Sequence, residues 1–102
     1  MTTLTKVASV SDFKGVNKIV VDVEGVAIAL YNVSGTFYAT DDICTHDGGT
    51  LADGELVGNE IICPRHGARF DVRNGKAMCM PAFTPVNTYP VKVQGEDIFI
   101  EF

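Results

Sequence analysis

Two short motifs, separated by sixteen residues, hold both histidines of the chain and two of its three cysteines. The first motif, C-T-H, runs from Cys44 to His46, and the second, C-P-R-H, runs from Cys63 to His66. A single histidine or cysteine is most often a core residue whose polar atoms are hydrogen-bonded within the protein. Four of them in two glycine-rich loops, where packing does not require these residue types, indicate a metal site.

The pairing of ligands within each loop bears on which metal the site would hold. Thiolate and imidazole together suit either zinc or an iron-sulfur centre. A structural zinc module usually keeps its two cysteines together and its two histidines three to five residues apart. Here each loop offers one cysteine and one histidine, which favours a 2Fe-2S cluster with one iron bound by both thiolates and the other by both imidazoles. A structural zinc module remains the alternative.

The elements that must position these loops are short apolar segments of period two, separated by glycine turns. This pattern predicts an all-β chain with strands over 18–23, 26–31, 36–39, 60–62, 69–72, 91–93 and 98–102. The stretch 41–58 contains too many turn formers for a regular element and is predicted to be an elaborated loop. Proline at positions 81, 85 and 90 predicts an irregular chain before the last hairpin.

Length and charge exclude several classes of protein. A chain of 102 residues is one domain, because single cores usually run to roughly 100–150 residues. A net charge of -5 with eight basic residues gives no electrostatic footprint for nucleic acid or for an anionic membrane surface. The apolar stretches are too short to span a bilayer, and the first residues show no secretory signal. We therefore expect a cytoplasmic monomer with no membrane partner.

The motifs C-T-H and C-P-x-H-G, with the gap between them, resemble those of the Rieske family. This resemblance implies a fold of stacked antiparallel sheets with a cluster-binding subdomain at one tip, formed within a single domain, 1–102. It implies a 2Fe-2S cluster whose inner iron is bound by Cys44 and Cys63 and whose outer iron is bound by His46 and His66. The cluster-binding loops would be about 41–50, 63–68 and 79–85, the last of them containing a proline beside the cluster, here Pro81.

Glycines near the ligands have a physical role of their own in this interpretation. Gly48, Gly49 and Gly67 permit positive φ and close backbone approach, so that main-chain N–H groups can point at sulfur. An ordinary tight turn is the alternative for each of them. Cys79 lies outside the ligand set and is expected to be a free buried thiol.

The sequence departs from the high-potential Rieske proteins in two respects. Those proteins carry an extra cysteine in each cluster loop, where this chain has Gly49 and Arg65, so the loop-linking disulfide is not expected. They also carry a serine and a tyrosine that donate hydrogen bonds towards the cluster sulfurs, where this chain has Ala68 and Phe70. Hydrogen bonds to sulfur stabilise the reduced state, so we expect a potential near the low end of the Rieske range, roughly -150 mV rather than +300 mV.

These expectations describe a one-electron carrier rather than an enzyme, since both histidines are assigned to the cluster. The resemblance implies that it accepts electrons from an NAD(P)H-dependent flavin reductase and donates them to a terminal Rieske oxygenase. A carrier in another redox or iron-sulfur assembly pathway is the alternative within the same chemistry. A partly solvated rim is the slightly favoured explanation of Arg65 and Arg69, and docking of an acidic partner surface is the alternative hypothesis.

Overall fold

The computed structural model describes residues 3–43, 49–64, 67–79 and 84–102. Six predicted site residues lie outside these ranges: Cys44, His46, Gly48, Arg65, His66 and Pro81. The side-chain environment of Cys79 is likewise not described. The described part contains three antiparallel sheets and one short 3-10 helix, so the all-β prediction is confirmed.

The central sheet consists of three strands joined by two tight hairpin turns and a fourth strand from much further along the chain. Its strands, in the order in which they pair, are β2 (Lys18–Val23), β3 (Val26–Val33), β4 (Thr36–Asp41) and β9 (Thr88–Tyr89). Both hairpin turns place two consecutive residues at positive φ, Glu24-Gly25 at 50° and 85° and Ser34-Gly35 at 51° and 90°. Such two-residue turns match the twist of the flanking strands, which explains why the sequence marks them with glycine.

A second sheet joins the beginning of the chain to its end. β1 (Leu4–Ser9) pairs with β11 (Asp97–Glu101), which also pairs with β10 (Val91–Gln94). The 3-10 helix Val10–Phe13 follows β1 directly and buries Phe13.

The third sheet carries the second predicted cluster loop. It consists of β5 (Glu55–Val57), β6 (Glu60–Ile62), β7 (Arg69–Asp71) and β8 (Ala77–Cys79), each paired with the next. Residues 63–68 connect β6 to β7, and the first and third predicted loops enter or leave this sheet at β5 and β8.

Strand β3 explains how the three sheets stack. Alternate side chains of a strand point to opposite faces. Ala29 and Tyr31 pack into one core with residues of the third sheet, while Ile28 and Leu30 pack into the other with residues of the β1-β11-β10 sheet. All four are 0% exposed, so the central sheet is covered on both faces at this strand.

The structure also contains elements that the sequence pattern did not predict. The stretch 41–58, expected to be entirely loop, ends in β5, and the proline-containing stretch before Val91 includes β9. Strands β1 and β8 and the 3-10 helix are further additions. β5, β8 and β9 are two or three residues long, too short for a period-two signal, and β9 also pairs with β4, which is remote in sequence.

Candidate metal centre

Cys63 lies at the end of β6 and begins the second predicted cluster loop. It is 1% exposed and packs in the same core as Ile61 and Phe70. The backbone N–H of Cys63 donates to the Ala68 carbonyl oxygen at 2.7 Å, and its own carbonyl oxygen accepts the Gly67 N–H at 3.1 Å. These two hydrogen bonds close the loop at its base and fix the backbone that carries the thiol.

The environment of Cys63 fits a metal thiolate on the inner side of a cluster. The side chain is shielded from water and forms no disulfide, and its loop turns back through Gly67 at a φ of +74°. A residue with a Cβ atom adopts that conformation only with strain, which accounts for glycine there. A set of two thiolates and two imidazoles is chemically suited to a 2Fe-2S centre. The described residues alone contain no group of three potential metal ligands, since the other three predicted ligands lie outside them.

Asp42, just after the end of β4, closes the base of the first predicted loop. Its Oδ1 atom accepts the backbone N–H of Leu51 at 2.9 Å and that of Ala52 at 2.8 Å. The backbone N–H of Asp42 donates to the carbonyl oxygen of Ala27 at 3.0 Å, which extends the pairing of β4 with β3. One side chain therefore links the departing and returning ends of the loop 43–50.

The preceding residue, Asp41, makes a similar link to the segment that follows the third predicted loop. Its N–H donates to the carbonyl oxygen of Asn87 at 3.0 Å, and its carboxylate accepts the Asn87 side-chain amide at 3.0 Å. The Tyr89 hydroxyl also donates to this carboxylate. Burial, together with this hydrogen bond to a carboxylate, raises the pKa of Tyr89 to about 12. The hydroxyl is thus fixed as a donor.

A buried pair of hydroxyls supports Asp41 from within the core. The Tyr31 hydroxyl lies 3.0 Å from Thr40 Oγ1, and Thr40 Oγ1 donates to the Asp41 carbonyl oxygen at 2.9 Å. Since Thr40 has one hydroxyl proton and gives it to Asp41, Tyr31 must be the donor of the pair. Burial raises the pKa of Tyr31 well above its usual range.

Two glycines allow the backbone segments below the loops to approach closely. A Cβ atom on Gly54 would lie 1.6 Å from the carbonyl oxygen of Ile62, the residue before Cys63. A Cβ atom on Gly75 would lie 2.0 Å from the carbonyl oxygen of Val86, and Gly75 also has a φ of +79°. The Val86 N–H donates to the Gly75 carbonyl oxygen at 2.8 Å, which ties the end of the third loop to the turn after β7.

The two described arginines near the second loop, Arg69 and Arg73, have partners within the chain. The guanidinium of Arg73 donates to both oxygens of Asp71, at 3.0 and 2.8 Å, and holds the pKa of that carboxyl below its usual value. Arg69 Nη1 lies 3.7 Å from a Glu60 carboxylate oxygen across β6 and β7. Arg73 therefore stabilises the turn after β7, while Arg69 remains partly exposed, at 45% of its side chain.

The structure describes four of the predicted site residues: Cys63, Gly49, Gly67 and Arg69. Only Cys63 among them is a predicted ligand, so the described residues do not include a complete ligand set. The sequence reasoning missed the connecting roles of Asp41 and Asp42, which it counted only among the turn formers of the stretch 41–58. Aspartate commonly bonds backbone N–H groups two or three residues away. The carboxylates of Asp41 and Asp42 instead accept hydrogen bonds from residues nine to 48 positions away, so a local sequence pattern could not reveal these bonds.

Comparisons with known proteins agree with the fold and with the motifs. The sequence model of the Rieske [2Fe-2S] domain matches residues 3–90. The ferredoxin component of a naphthalene 1,2-dioxygenase system from Pseudomonas aeruginosa is 49% identical over 81 residues, which cover 79% of this chain and 78% of that protein. The Sphingomonas yanoikuyae B1 ferredoxin superposes with a TM-score of 0.90 and 35% identity, over 98% of this chain and 99% of that one.

A further solved structure is a complex of reduced oxygenase and oxidised ferredoxin in carbazole 1,9a-dioxygenase, in which the matching chain gives a TM-score of 0.88 and 33% identity. The match covers 96% of this chain and 92% of that one. The chain described here belongs to the Rieske [2Fe-2S] domain family. It is a Rieske-type ferredoxin, an electron carrier and not itself an enzyme, and family membership implies a 2Fe-2S cluster. No helix in the described ranges is long and apolar enough to cross a membrane.

Proposed function

We propose that this chain binds its 2Fe-2S cluster through Cys44 and Cys63 on one iron and His46 and His66 on the other. The observation that carries the proposal is the buried thiol of Cys63, at the base of a loop closed by backbone hydrogen bonds. When bound, the cluster would accept and release a single electron. Gly48, Gly49, Gly67 and Pro81 are proposed to lie around it in the three loops.

We further propose that the electron comes from an NAD(P)H-dependent flavin reductase and passes to the Rieske centre of a terminal oxygenase. The likeness to a ferredoxin solved in complex with its oxygenase supports the second step. Ile43, which directly precedes the proposed ligand Cys44, is 44% exposed. Its side chain would provide an apolar contact for a partner protein beside the cluster. Arg65 and Arg69 would add charge to this transient interface, and their contribution would weaken as salt is raised.

The residues after the second motif support a low potential. Ala68 and Phe70 are both 0% exposed, and neither carries a hydroxyl. These side chains cannot donate the hydrogen bonds to cluster sulfur by which serine and tyrosine hydroxyls would favour the reduced state. We propose a midpoint potential near the lower limit of the Rieske range, about -150 mV.

The ligand set is tested by comparing two cysteine variants of the full chain. Wild-type protein is expected to be red-brown and to give a Rieske-type EPR signal after reduction with dithionite. Cys63→Ser is expected to lose that signal and most of its iron, because a thiolate to the inner iron is removed. Cys79→Ser is the matched control and is expected to keep both. A colourless wild-type protein containing zinc would overturn the proposal, as would a Cys63→Ser protein with an unchanged spectrum.

The partners are tested by reconstitution. Stopped-flow mixing of the reduced ferredoxin with an oxygenase of a naphthalene or carbazole dioxygenase system should oxidise it within the turnover time of that enzyme. Reduction by NADH through the reductase of the same system tests the donor. Transfer to neither component would favour a different redox or assembly pathway. The cytoplasmic location and the monomeric state remain predictions, to be checked by cell fractionation and sedimentation.

A further inference from the structure

We propose that Asp42 is a positioning residue for the cluster: its carboxylate holds the first loop closed and, through the returning end of that loop, supports the second. This inference rests on the ligand assignment proposed above. It gives Asp42 a defined role two residues before the proposed ligand Cys44, without direct contact with the metal.

The hydrogen bonds of Asp42 fix both ends of the loop that contains Cys44. A single oxygen, Oδ1, accepts two successive N–H groups, those of Leu51 and Ala52, at 2.9 and 2.8 Å. The Asp42 backbone is itself held by its hydrogen bond to Ala27 in β3. The carboxylate therefore connects the end of β4, which is held against β3, to the point at which the loop returns to the core.

The returning end of the first loop supports the residue that carries the second loop. Leu51 and Ala52 are 0% and 7% exposed and share a core with Cys63. The Leu51 carbonyl oxygen accepts the Gly54 N–H at 3.1 Å, and Gly54 packs against the carbonyl of Ile62. A displacement of Leu51 would thus be transmitted through two contacts to the backbone beside Cys63.

Asp41 extends the same arrangement to the segment that follows the third loop. Its backbone and carboxylate bond Asn87 and Tyr89, at the point where that segment enters β9. Two adjacent carboxylates at the end of β4 thereby bond two different segments of the chain.

Three substitutions at position 42 separate the position of the oxygen from the charge. Asp42→Asn keeps an acceptor oxygen on the same side-chain length but removes the charge. Asp42→Glu keeps the charge but displaces the oxygen by one methylene group. Asp42→Ala removes both. Asp22→Ala is the matched control, because Asp22 also accepts one backbone N–H, that of Gly25 at 3.0 Å, in the β2-β3 turn.

The measurement is the rate at which the oxidised holoprotein loses its visible circular dichroism in the presence of a chelator. We expect Asp42→Ala to lose its cluster roughly tenfold faster than wild type, since two partly buried backbone N–H groups lose their acceptor. Asp42→Glu should also be faster, whereas Asp42→Asn and Asp22→Ala should stay near wild type. Hydrogen exchange at the amides of Leu51 and Ala52 should accelerate in the same order. Asp42→Asn should shift the midpoint potential upwards without this loss of retention, because removing a nearby negative charge favours the reduced state.

Two results would overturn the inference. One is an Asp42→Ala protein that retains its cluster like wild type. The other is an Asp42→Glu protein that retains it better than Asp42→Asn, which would show that charge and not oxygen position matters; this comparison holds even if Asp42→Ala fails to fold. A wild-type protein without a Rieske signal would instead contradict the proposed function, while exchange at Leu51 and Ala52 in the variants would still test the hydrogen bonds.

Discussion

At the scale of single residues, the proposed low potential rests on side-chain hydroxyls that the second loop lacks. Ala68 follows the loop glycine, and its carbonyl oxygen accepts the Cys63 N–H. Its methyl group is fully buried and contributes no hydrogen bond. A hydroxyl at this position would lie beside the loop that carries two of the proposed ligands.

We therefore expect Ala68→Ser to raise the midpoint potential. A hydrogen bond that favours the reduced state by about 1.4 kcal/mol corresponds to roughly 59 mV for one electron. Redox titration followed by circular dichroism measures the change. Ala39→Ser is the matched control, since Ala39 is 1% exposed but lies in the other core. Equal potentials for Ala68→Ser and wild type would contradict the assignment of a low potential to missing hydroxyl donors.

The same scale shows which predictions residue types permit and which they do not. The metal-site prediction followed from residue types alone, because cysteine and histidine in paired loops have few structural explanations. The roles of Asp41 and Asp42 could not be predicted in this way. Aspartate is common in turns, and its partners at Leu51 and Tyr89 are identified by the fold.

At the scale of elements, the loops are fixed by close backbone contacts between strands and turns. Gly54 precedes β5, and its α-carbon faces the last carbonyl of β6. Its φ is not positive, so the requirement for glycine here is steric rather than conformational. The sequence analysis could mark this position only as part of a turn-rich stretch.

Gly54→Ala is expected to destabilise the protein and to lower its cluster content. The added Cβ would lie 1.6 Å from the Ile62 carbonyl oxygen, so β6 and Cys63 must shift, at a cost of about 3 kcal/mol. Gly58→Ala, in the next turn, is the control: it meets no atom within 4 Å and costs about 1 kcal/mol for its positive φ. Urea unfolding and the iron content per chain are the measurements. Similar losses in the two variants would show that the close contact is unimportant.

The strands were predictable to different extents for identifiable reasons. β2 and β3 have alternating patterns, β4 is rich in strand-favouring residues, and glycine turns separate the three, so their pairing follows from the sequence. β1 has a weaker pattern and is fixed by β11, more than eighty residues further along the chain. β8 and β9 are too short to alternate and are fixed by β7 and β4.

At the scale of the whole molecule, both hydrophobic cores depend on β3. Its Ala29 and Tyr31 belong to the core beneath the cluster loops, and its Ile28 and Leu30 belong to the opposite core. A strand that contributes to two cores couples their stabilities. The cluster loops and the β1-β11-β10 sheet should therefore unfold together.

Leu30→Ala tests this coupling, because Leu30 belongs to the core remote from Cys63. Truncation of a fully buried leucine costs about 2–5 kcal/mol. In a domain of this size, the thermal midpoint should fall by roughly 10 °C or more. We expect the visible signal of the cluster and the far-ultraviolet signal of the sheets to shift together. Leu4→Ala, at a position 40% exposed, should change both little. Loss of the sheet signal with the visible signal unmoved would show that the cores are independent.

The double role of β3 also limits how this protein can be reduced or rebuilt. A minimal cluster carrier made from β5 to β8 and their loops would lack Ala29, Tyr31 and the carboxylates at the end of β4. It would expose one side of its core to water and leave the first loop without its acceptor. Transplanting the loops into another scaffold would therefore require the β3-β4 hairpin as well, so the smallest portable unit extends from about Val26 to Tyr89.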